Sequence, residues 1–473
     1  MPLQIYNSLS KKTDNFTPVH PPRVGLYTCG ATVYDYAHIG HGRKYVGDDI
    51  IRRTLVWLGY NVTHVQNVTD VGHLVSDNDE GEDKMEKGAA KTGKTVWDVA
   101  KFFMNDFYAS MDLLNIMRPH IICRATEHIP DQIALIETLV AKGYGYETPE
   151  AVYFDVSKFS KYGSLTGQTL DQKRTAAREE VETGVHKKNP ADFVLWFKCV
   201  GKYQNHVMRW NSQWGEGFPG WHIECSAMSM KYLGETIDIH TGGIDHLSVH
   251  HPNEIAQSEA ATGKQFVRYW IHHEFLTVDG QKMSKSIGNT YRMHDITERG
   301  FDPLALRYFF LTAHYRSPQN FTWEALQNAQ NSLNELRGKI MFWKTKKTEP
   351  LDETKIKQAE TRFQEIICND INIPRALAFA WEIVKDKEFS EKEKEYLITD
   401  SFDKIFGLKL KETNENAAIA TANLPENIKE LVIRRESART NKDFESSDKL
   451  RKELETLGYS VTDSPDGQRV RQF

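Results

Sequence analysis

Two histidines near the start of the chain have the types and spacing of a phosphate-binding turn. His38 and His41 enclose Gly40 in the run His-Ile-Gly-His, which precedes a segment with helical periodicity. A helix N-terminus favours anions, a glycine lets backbone approach a ligand closely, and histidines can donate hydrogen bonds to phosphate oxygens. The pattern therefore predicts a phosphorylated ligand, with two surface histidines in a polar turn as the alternative.

A lysine-rich segment later in the chain is a second candidate for phosphate chemistry. Residues 278–289 contain Lys282 and Lys285 between two glycines, a composition typical of a mobile loop. Lysines on such a loop could close over a triphosphate and offset the charge that develops on departing pyrophosphate. An isolated run of this kind is commonly only a solvated stretch of charge. Here both motifs occur in this order, each beside a predicted strand, which favours phosphate binding.

Four further residues have the chemistry of a zinc site. Cys29 ends the first predicted strand, Cys225 lies much later, and His250 and Glu254 share one helix face at i and i+4. Two thiolates, an imidazole and a carboxylate are a suitable set of Zn²⁺ ligands. The separation of about 200 residues differs from the compact Cys-x-x-Cys knuckles whose spacing is diagnostic. On spacing alone, buried thiols explain the two cysteines better.

The elements around these residues predict how they could meet. Residues 22–29 alternate like a strand, residues 41–58 have helical spacing and stop at Gly59, and residues 62–69 again alternate. A strand, a helix and a strand in this order indicate a βαβ unit of a parallel sheet. Its ligand site should then lie at the carboxyl ends of the strands.

Changes of pattern further along the chain predict its organisation. Mixed text from about residue 118 interrupts the alternation, strand-like alternation resumes at 236–240, and the chain becomes helical after Asn320. The expected divisions are a first half of the sheet domain over 1–118, a connective insertion over 119–215, a second half over 216–320, a helical bundle over 321–408, and a linker with a C-terminal region over 409–473.

Both phosphate motifs resemble the signatures of the class I aminoacyl-tRNA synthetases, which read HIGH and KMSKS. They stand without substitution at His38–His41 and Lys282–Ser286. The resemblance implies an α/β fold: a Rossmann-type parallel-sheet catalytic domain with an insertion, followed by a helical C-terminal region. It also implies ATP-dependent formation of an aminoacyl-adenylate, with Mg²⁺, and transfer of the amino acid to tRNA. The implied catalytic residues are His38, His41, Lys282 and Lys285.

The middle of the chain resembles the cysteinyl-tRNA synthetase family within that class. The family pattern Cys-Gly-x-Thr-x-Tyr-Asp-x-x-His-Ile-Gly-His matches residues 29–41, Pro-Gly-Trp-His-Ile-Glu-Cys-Ser-Ala-Met matches 219–228, and His-His-x-Asn-Glu matches 250–254. This resemblance favours metal ligands over buried structural thiols for Cys29 and Cys225. It implies one zinc ion that binds the thiol of L-cysteine. Zinc favours thiolate, which would select cysteine over serine. The implied metal ligands are Cys29, Cys225, His250 and Glu254.

The same resemblance assigns further binding residues. The positions implied for the substrate cysteine are Gly30, Thr69, Trp221 and His240. Those implied for ATP are Gly40, Gly242, Gly243 and Asp245, together with His38, His41 and Lys285. Those implied for tRNA(Cys), at an anticodon-binding C-terminal end, are Arg435, Arg439, Lys442 and Arg469. One departure is the segment 71–82, twelve residues that stand before Asp83-Lys84, where the family pattern continues at once with Ile-Asp-Asp-Lys.

Composition narrows the class of protein without identifying its function. The 473 residues suffice for two or three domains, and no stretch approaches the roughly 20 apolar residues of a membrane-spanning helix. Five scattered cysteines are not a disulfide framework, so we expect a cytoplasmic protein with no membrane partner. A net charge of −5 neither supports nor excludes nucleic-acid binding. Two alternatives stay open, namely a ligase that joins cysteine to an amino sugar and a non-catalytic, zinc-stabilised RNA-binding protein.

Overall fold

A computed structural model describes residues 1–72, 86, 89, 93–167, 186–284, 287–346, 350–413, 424–457, 459–464 and 467–472. Its centre is a five-stranded sheet in which every neighbouring pair of strands is parallel. In sheet order the strands are Val267–His273, Ile237–Gly243, Arg23–Thr28, Asn61–Val68 and Ile121–Arg124. The α/β fold class expected from the sequence is confirmed.

Helices alternate with these strands along the chain and pack against the sheet. Apolar side chains such as Leu26, Val65 and Ile271 are buried, as expected for a parallel sheet covered by helices. The helices of this part are Ile39–Trp57, Val96–Leu113, Ile129–Ala141, Trp221–Leu233 and His250–Thr262.

The helix that contains the first signature begins earlier than its periodicity suggested. It runs from Ile39 to Trp57, and His38 is its N-cap, with the ring nitrogen Nδ1 accepting from the backbone N–H of His41 at 3.3 Å. Gly40 therefore lies in the first helical turn. At the other end, Gly59 follows with φ 89°, a conformation that glycine adopts without strain. The signature is thus the N-terminal turn of the helix itself.

Along the chain, the strands of a second, antiparallel sheet come between those of the two halves of the central sheet. Its strands, in order, are Gly145–Glu147, Ala151–Phe154, Phe193–Lys198, Gly215–Pro219 and Trp210–Ser212. The preceding strand Ile121–Arg124 pairs in parallel with Asn61–Val68, although it falls inside the span 119–215 expected to be the insertion. The central sheet therefore continues past residue 118, and the antiparallel sheet starts only at Gly145.

Shorter elements connect the sheet domain to the helical region. Residues 267–278 form two strands, because Val267–His273 ends before Leu276–Val278 begins. The latter pairs with Gln281–Lys282 and Gln319–Phe321. An N-terminal hairpin is formed by Gln4–Asn7 and Lys12–Asn15.

The rest of the described chain is mainly helical, as expected. The bounds are Met293–Glu298, Pro303–Leu311, Trp323–Lys344, Glu353–Ile367, Ile373–Lys385, Glu391–Glu395 and Asp403–Phe406, with a π-helical turn at Tyr396–Phe402. A separate apolar cluster then joins helices Glu426–Thr440 and Phe444–Thr456 to the hairpin Tyr459–Ser464 and Gly467–Gln472. None of the described helices is long and apolar enough to cross a membrane.

Candidate active site

A cavity of about 560 Å³ opens at the carboxyl ends of the central strands. Residues that directly follow three of the five strands line it, namely Cys29, Thr69 and Glu274. This is where ligands bind in doubly wound sheets. Lining residues that the sequence had singled out are Cys29, Gly30, His38, Gly40, His41, Thr69, Trp221, Cys225, Gly243, Asp245, His250 and Lys282.

The four candidate metal ligands meet at the wall of this cavity. One donor atom from each of Cys29, Cys225, His250 and Glu254 lies within 4.8 Å of all the others, and the four residues are buried. Nε2 of His250 is 2.9 Å from Oε1 of Glu254, yet this buried oxygen accepts no hydrogen bond. Two thiols, an imidazole and an unsatisfied carboxylate oxygen at this spacing fit a tetrahedral zinc ion with bonds of about 2.0–2.3 Å.

A second combination of ligands shares two of these residues. Cys29 and Glu254 also group with His240 and His251 within 4.8 Å. The two sets differ in access, because Cys29, Cys225 and His250 line the cavity whereas His240 and His251 do not. Only the first set could therefore present a bound ion to a substrate in the cavity.

Three further imidazoles contact the first ligand set without lining the cavity. Nδ1 of His222 lies 2.8 Å from Nδ1 of His250, Nε2 of His240 lies 2.9 Å from Oε2 of Glu254, and Nε2 of His251 lies 3.5 Å from Sγ of Cys29. Such outer contacts fix the orientation of metal ligands. His240, expected to contact the substrate cysteine, is fully buried in this outer layer and does not reach the cavity.

The two cysteine thiols differ in their tendency to ionise. Burial by itself raises the pKa of Cys29, but hydrogen bonding with Cys225 and the charge of His240 outweigh it and hold this pKa well below the usual thiol range. The hydrogen bond to Cys29, together with burial, raises the pKa of Cys225 well above its usual value. Of the two thiols, Cys29 is thus the one whose ionisation its surroundings favour, and sulfur binds a metal as the thiolate.

The two signatures meet at another part of the same cavity. The rings of His38 and His41 stack with centroids 3.7 Å apart, and the backbone N–H of His38 donates to Nδ1 of His41 at 3.1 Å. A Cβ on Gly40 would collide with the side chain of Met283, which belongs to the second signature. Glycine at position 40 thus lets the two motifs touch. Lys282 is exposed at the rim, and Lys285 lies outside the described residues.

The remaining residues assigned to ATP and to the substrate cysteine differ in whether they line the cavity. Gly243 and Asp245 line the cavity, whereas Gly242 packs against His251 with no room for a Cβ. For the substrate cysteine, the ring of Trp221 stacks on that of His250 at 4.2 Å. Thr69 donates from Oγ1 to Glu224 at 3.0 Å. A Cβ on Gly30 would collide with the carbonyl oxygen of Asn67, so glycine is required there.

The structure adds residues that the sequence did not single out. Lys44 and Asn67 line the cavity, and His222 contacts a candidate ligand. His222 stands inside the matched motif 219–228, so its position was a signal for it. Lys44 follows the first signature by three residues, where a charged side chain on the helix was the available signal.

The residues assigned to tRNA are not equally placed. The guanidinium of Arg435 is 1% exposed and donates to Asp463 at 3.1 Å and to Gln468 at 2.8 Å. It thus joins its helix to the C-terminal hairpin, and a nucleotide could reach it only if those contacts opened. Arg439 is half-exposed and pairs with the same carboxylate, while Lys442 is exposed. Arg469 lies on a strand of the hairpin.

Comparison with known families agrees with both ends of this arrangement. The sequence model of the class I (C) tRNA synthetase catalytic domain matches residues 15–331, and that of the cysteinyl-tRNA ligase anticodon binding domain matches residues 421–471. The chain belongs to the cysteine–tRNA ligase family. It is accordingly an aminoacyl-tRNA synthetase that charges tRNA with cysteine, and its residues 421–471 match the anticodon-binding domain of that family.

Relatives of this family match over almost their whole length. The chain is 46% identical to cysteine–tRNA ligase 1 of Burkholderia lata, covering 99% of this chain and 97% of the relative. It is 43% identical to the cysteine–tRNA ligase of Treponema denticola, with 98% of each covered, and 42% identical to that of Thermus thermophilus, with 100% and 99% covered.

Solved structures of other synthetases share the fold. A methionyl-tRNA synthetase of Mycobacterium tuberculosis in complex with methionyl-adenylate superposes with a TM-score of 0.56 at 16% identity, covering 85% of this chain and 90% of that one. A leucyl enzyme of Agrobacterium radiobacter, in a ternary complex with tRNA, gives 0.60 at 11% identity, with 84% and 85% covered.

Proposed function

We propose that this cysteine–tRNA ligase converts L-cysteine and ATP into cysteinyl-adenylate, transfers the cysteine to tRNA(Cys), and selects cysteine through a zinc-bound thiol. One observation carries the proposal. A single cavity has candidate metal ligands in one part of its wall and the stacked histidines of the first signature in another. A small amino acid anchored by its thiol would then extend its carboxylate towards a nucleotide bound at the signature. Because the proposed substrates are tRNA, ATP and free cysteine, we place the activity in the cytoplasm.

The signature residues act on the triphosphate. His38 and His41 lie at the N-terminus of the helix Ile39–Trp57, where hydrogen-bond donors and the helix dipole favour phosphate oxygens. Lys282, with Lys285 of the same signature, neutralises the charge that develops on pyrophosphate, with Mg²⁺ bound to ATP. Gly40, Gly242, Gly243 and Asp245 shape the site for the nucleotide, with Gly242 acting from behind the cavity wall.

The four ligands would hold one zinc ion, which supplies a borderline-soft Lewis acid for the thiol of the substrate. Zinc is needed for selectivity because serine differs from cysteine by one atom, and apolar pockets separate near-isosteres by only about 10²-fold. Around the ion, Trp221, Gly30 and Thr69 bound the space for the amino acid, and His240 keeps Glu254 in place. Selection would thus occur at binding.

The C-terminal domain would bind the anticodon end of tRNA(Cys). Arg439, Lys442 and Arg469 are the proposed contacts, and Arg435 holds the helix and the hairpin together. A ligase for a small acceptor such as an amino sugar would need no such domain, so the match over residues 421–471 disfavours that alternative.

Cysteine-dependent exchange of pyrophosphate into ATP tests the proposal, run with cysteine and serine side by side on protein of measured metal content. We expect exchange with cysteine, none detectable with serine, and about one zinc ion per chain. Exchange by metal-free protein that still discriminates between the two amino acids would contradict the role of zinc.

A further inference from the structure

Lys44 lies on the signature helix, three residues after His41, and its side chain lines the cavity. We propose that Lys44 binds the carboxylate of the amino acid substrate. This inference rests on the proposed function, because it concerns how that same cavity holds cysteine beyond its thiol.

The ammonium group of Lys44 makes one hydrogen bond, one ion pair and one cation–π contact within the protein. Nζ donates to the backbone carbonyl oxygen of Cys29 at 2.5 Å and lies 2.8 Å from Oδ2 of Asp48. An ammonium group carries three N–H donors. Nζ also lies 4.2 Å from the centroid of the Tyr45 ring. Among the residues that the structure describes, no further nitrogen or oxygen acceptor for Lys44 is found, so one N–H of the ammonium group can still reach a ligand in the cavity.

Asp48 keeps this cation in place. Its Oδ1 accepts from Oγ1 of Thr241 at 2.7 Å and lies 2.8 Å from Nε2 of His273, so residues of two strands fix the carboxylate. Burial alone would raise the pKa of Asp48, but the charge of Lys44 and the contact with His273 hold it well below its usual range. Lys44 is thus a preorganised charge at the base of the cavity.

The position of Lys44 also indicates which group of the substrate it would meet. Its contact with the carbonyl of Cys29 places it next to a candidate metal ligand, and His41 is one helical turn away. In cysteine, two carbon atoms separate the sulfur from the carboxylate carbon. A thiol anchored at the ligand set therefore leaves the carboxylate within a few ångströms of Lys44, on the side of the phosphate-binding histidines.

A compact cation suits the chemistry expected there. The carboxylate must attack the α-phosphate of ATP, and two anions must approach each other for this step. A lysine reduces their repulsion as a point charge without imposing the planar geometry of an arginine. The competing explanation is structural, because the same contacts tie the signature helix to the strand that ends before Cys29.

Two ligands separate these explanations when the zinc-loaded enzyme is studied by isothermal titration calorimetry. L-Cysteine carries the carboxylate, whereas cysteamine keeps the thiol and the amine but lacks it. For Lys44→Met we expect about 10- to 100-fold weaker binding of cysteine, as for one lost hydrogen bond between charged groups. Cysteamine should bind within about twofold of wild type, and Lys44→Arg should recover part of the cysteine affinity.

Three further measurements keep the assignment falsifiable. Lys231→Met removes a surface lysine that pairs with Asp131, and it should bind both ligands like wild type. Lys44→Gln retains a donor for the carbonyl of Cys29 without the charge, and should show the same selective loss if Lys44→Met fails to fold. Zinc content is measured for each variant. Equal weakening for both ligands, or unchanged cysteine binding, would overturn the proposed role of Lys44 but not the proposed function. A wild-type enzyme that binds no cysteine would overturn the proposed function as well.

Discussion

The Nδ1 atoms of His222 and His250 lie 2.8 Å apart, and the opposite nitrogen of His250, Nε2, faces Oε1 of Glu254 at 2.9 Å. Two nitrogens at this separation share one proton. The contact therefore occupies Nδ1 of His250 and leaves Nε2 to point into the ligand set. His222 is 1% exposed, so the pair is shielded from water.

We expect His222→Ala to weaken zinc binding by about 10- to 100-fold, the usual effect of removing an outer partner of a metal-bound histidine. The reason is that the ring of His250 loses the contact that fixes its orientation. Competition with a chelator of known affinity measures the change. His206→Ala removes a buried histidine outside the ligand group and should leave zinc affinity unchanged. Equal affinities for wild type and His222→Ala would contradict the positioning role.

Cys225→Ser tests the ligand set directly. We expect it to weaken zinc retention and to raise the KM for cysteine, with a smaller effect on the KM for ATP, because a hydroxyl is a poor zinc ligand at neutral pH. Steady-state pyrophosphate exchange and metal analysis provide both readouts. Cys199→Ser, at a half-buried thiol outside the ligand group, is the matched control. Full zinc occupancy with unchanged kinetics in Cys225→Ser would rule out Cys225 as a ligand.

Much of the fold was predictable because its signals are local. The alternation over 22–29 and 62–69 and the helical spacing between them correspond to the central βαβ unit. The strand Ile121–Arg124 was not recognised, because it has only four residues and Cys123 is its one fully buried side chain. Its place in the central sheet depends on pairing with Asn61–Val68, which the local sequence does not encode.

The candidate site was predictable as a set of residues but not as an arrangement. The ligands came from matched motifs, whereas the contacts of His222 and Lys44 depend on partners in other elements. His240 and Arg435 show that a motif alone does not give the partner of a side chain. The motifs assigned His240 to the substrate cysteine and Arg435 to tRNA, but tertiary packing directs His240 to Glu254 and Arg435 to Asp463. A motif gives the identity of a side chain, while its direction follows from packing.

The buried imidazole of His64 should make the folded state sensitive to acid. Burial, with the nearby charge of Arg52, lowers the pKa of His64 to about 3, compared with about 6.5 in an unfolded chain. Between these values the unfolded state binds the proton, so stability present above about pH 6.5 is lost as the pH falls. His64 should contribute up to about 1.4 kcal/mol per pH unit to this loss.

Urea denaturation between pH 7.5 and 5 measures this effect. His64→Gln, which keeps a polar side chain near Thr28 without titrating, should lose less free energy of unfolding over this range than wild type. Parallel pH dependences for the two proteins would mean that His64 is accessible to protons in the folded state.

A buried ion pair joins the signature helix to the helical region. Arg307 donates from Nη2 to Oδ2 of Asp49 at 2.6 Å, and its other donors reach the carbonyl oxygens of Phe406 and Leu114. Both side chains are 0% exposed. Arg307→Met leaves the carboxylate buried with fewer partners, which typically costs about 3–5 kcal/mol. Arg118→Met, in an exposed pair with Asp112, should cost no more than about 1 kcal/mol. Denaturant unfolding of the two variants compares these costs, and similar values would contradict a bracing role for Arg307.

Removal of the C-terminal domain should separate the two half-reactions. The deletion must begin after residue 413 instead of at the linker boundary of 409, because Leu408 and Leu410 are in the main core and their backbone N–H groups donate to Asp403 at 2.7 Å. Residues 424–472 have an apolar cluster of their own, so the catalytic cavity should survive their loss.

We expect the chain truncated after 413 to retain cysteine-dependent pyrophosphate exchange within about threefold, since no residue that lines the cavity is removed. Charging of tRNA should fall by several orders of magnitude, because loss of contacts worth about 4 kcal/mol corresponds to roughly a 10³-fold change. Arg439→Ala in the full chain should lower charging alone, and to a smaller extent. If truncation reduced exchange and charging equally, the domain would support the fold of the catalytic part, since binding of the anticodon has no part in forming the adenylate.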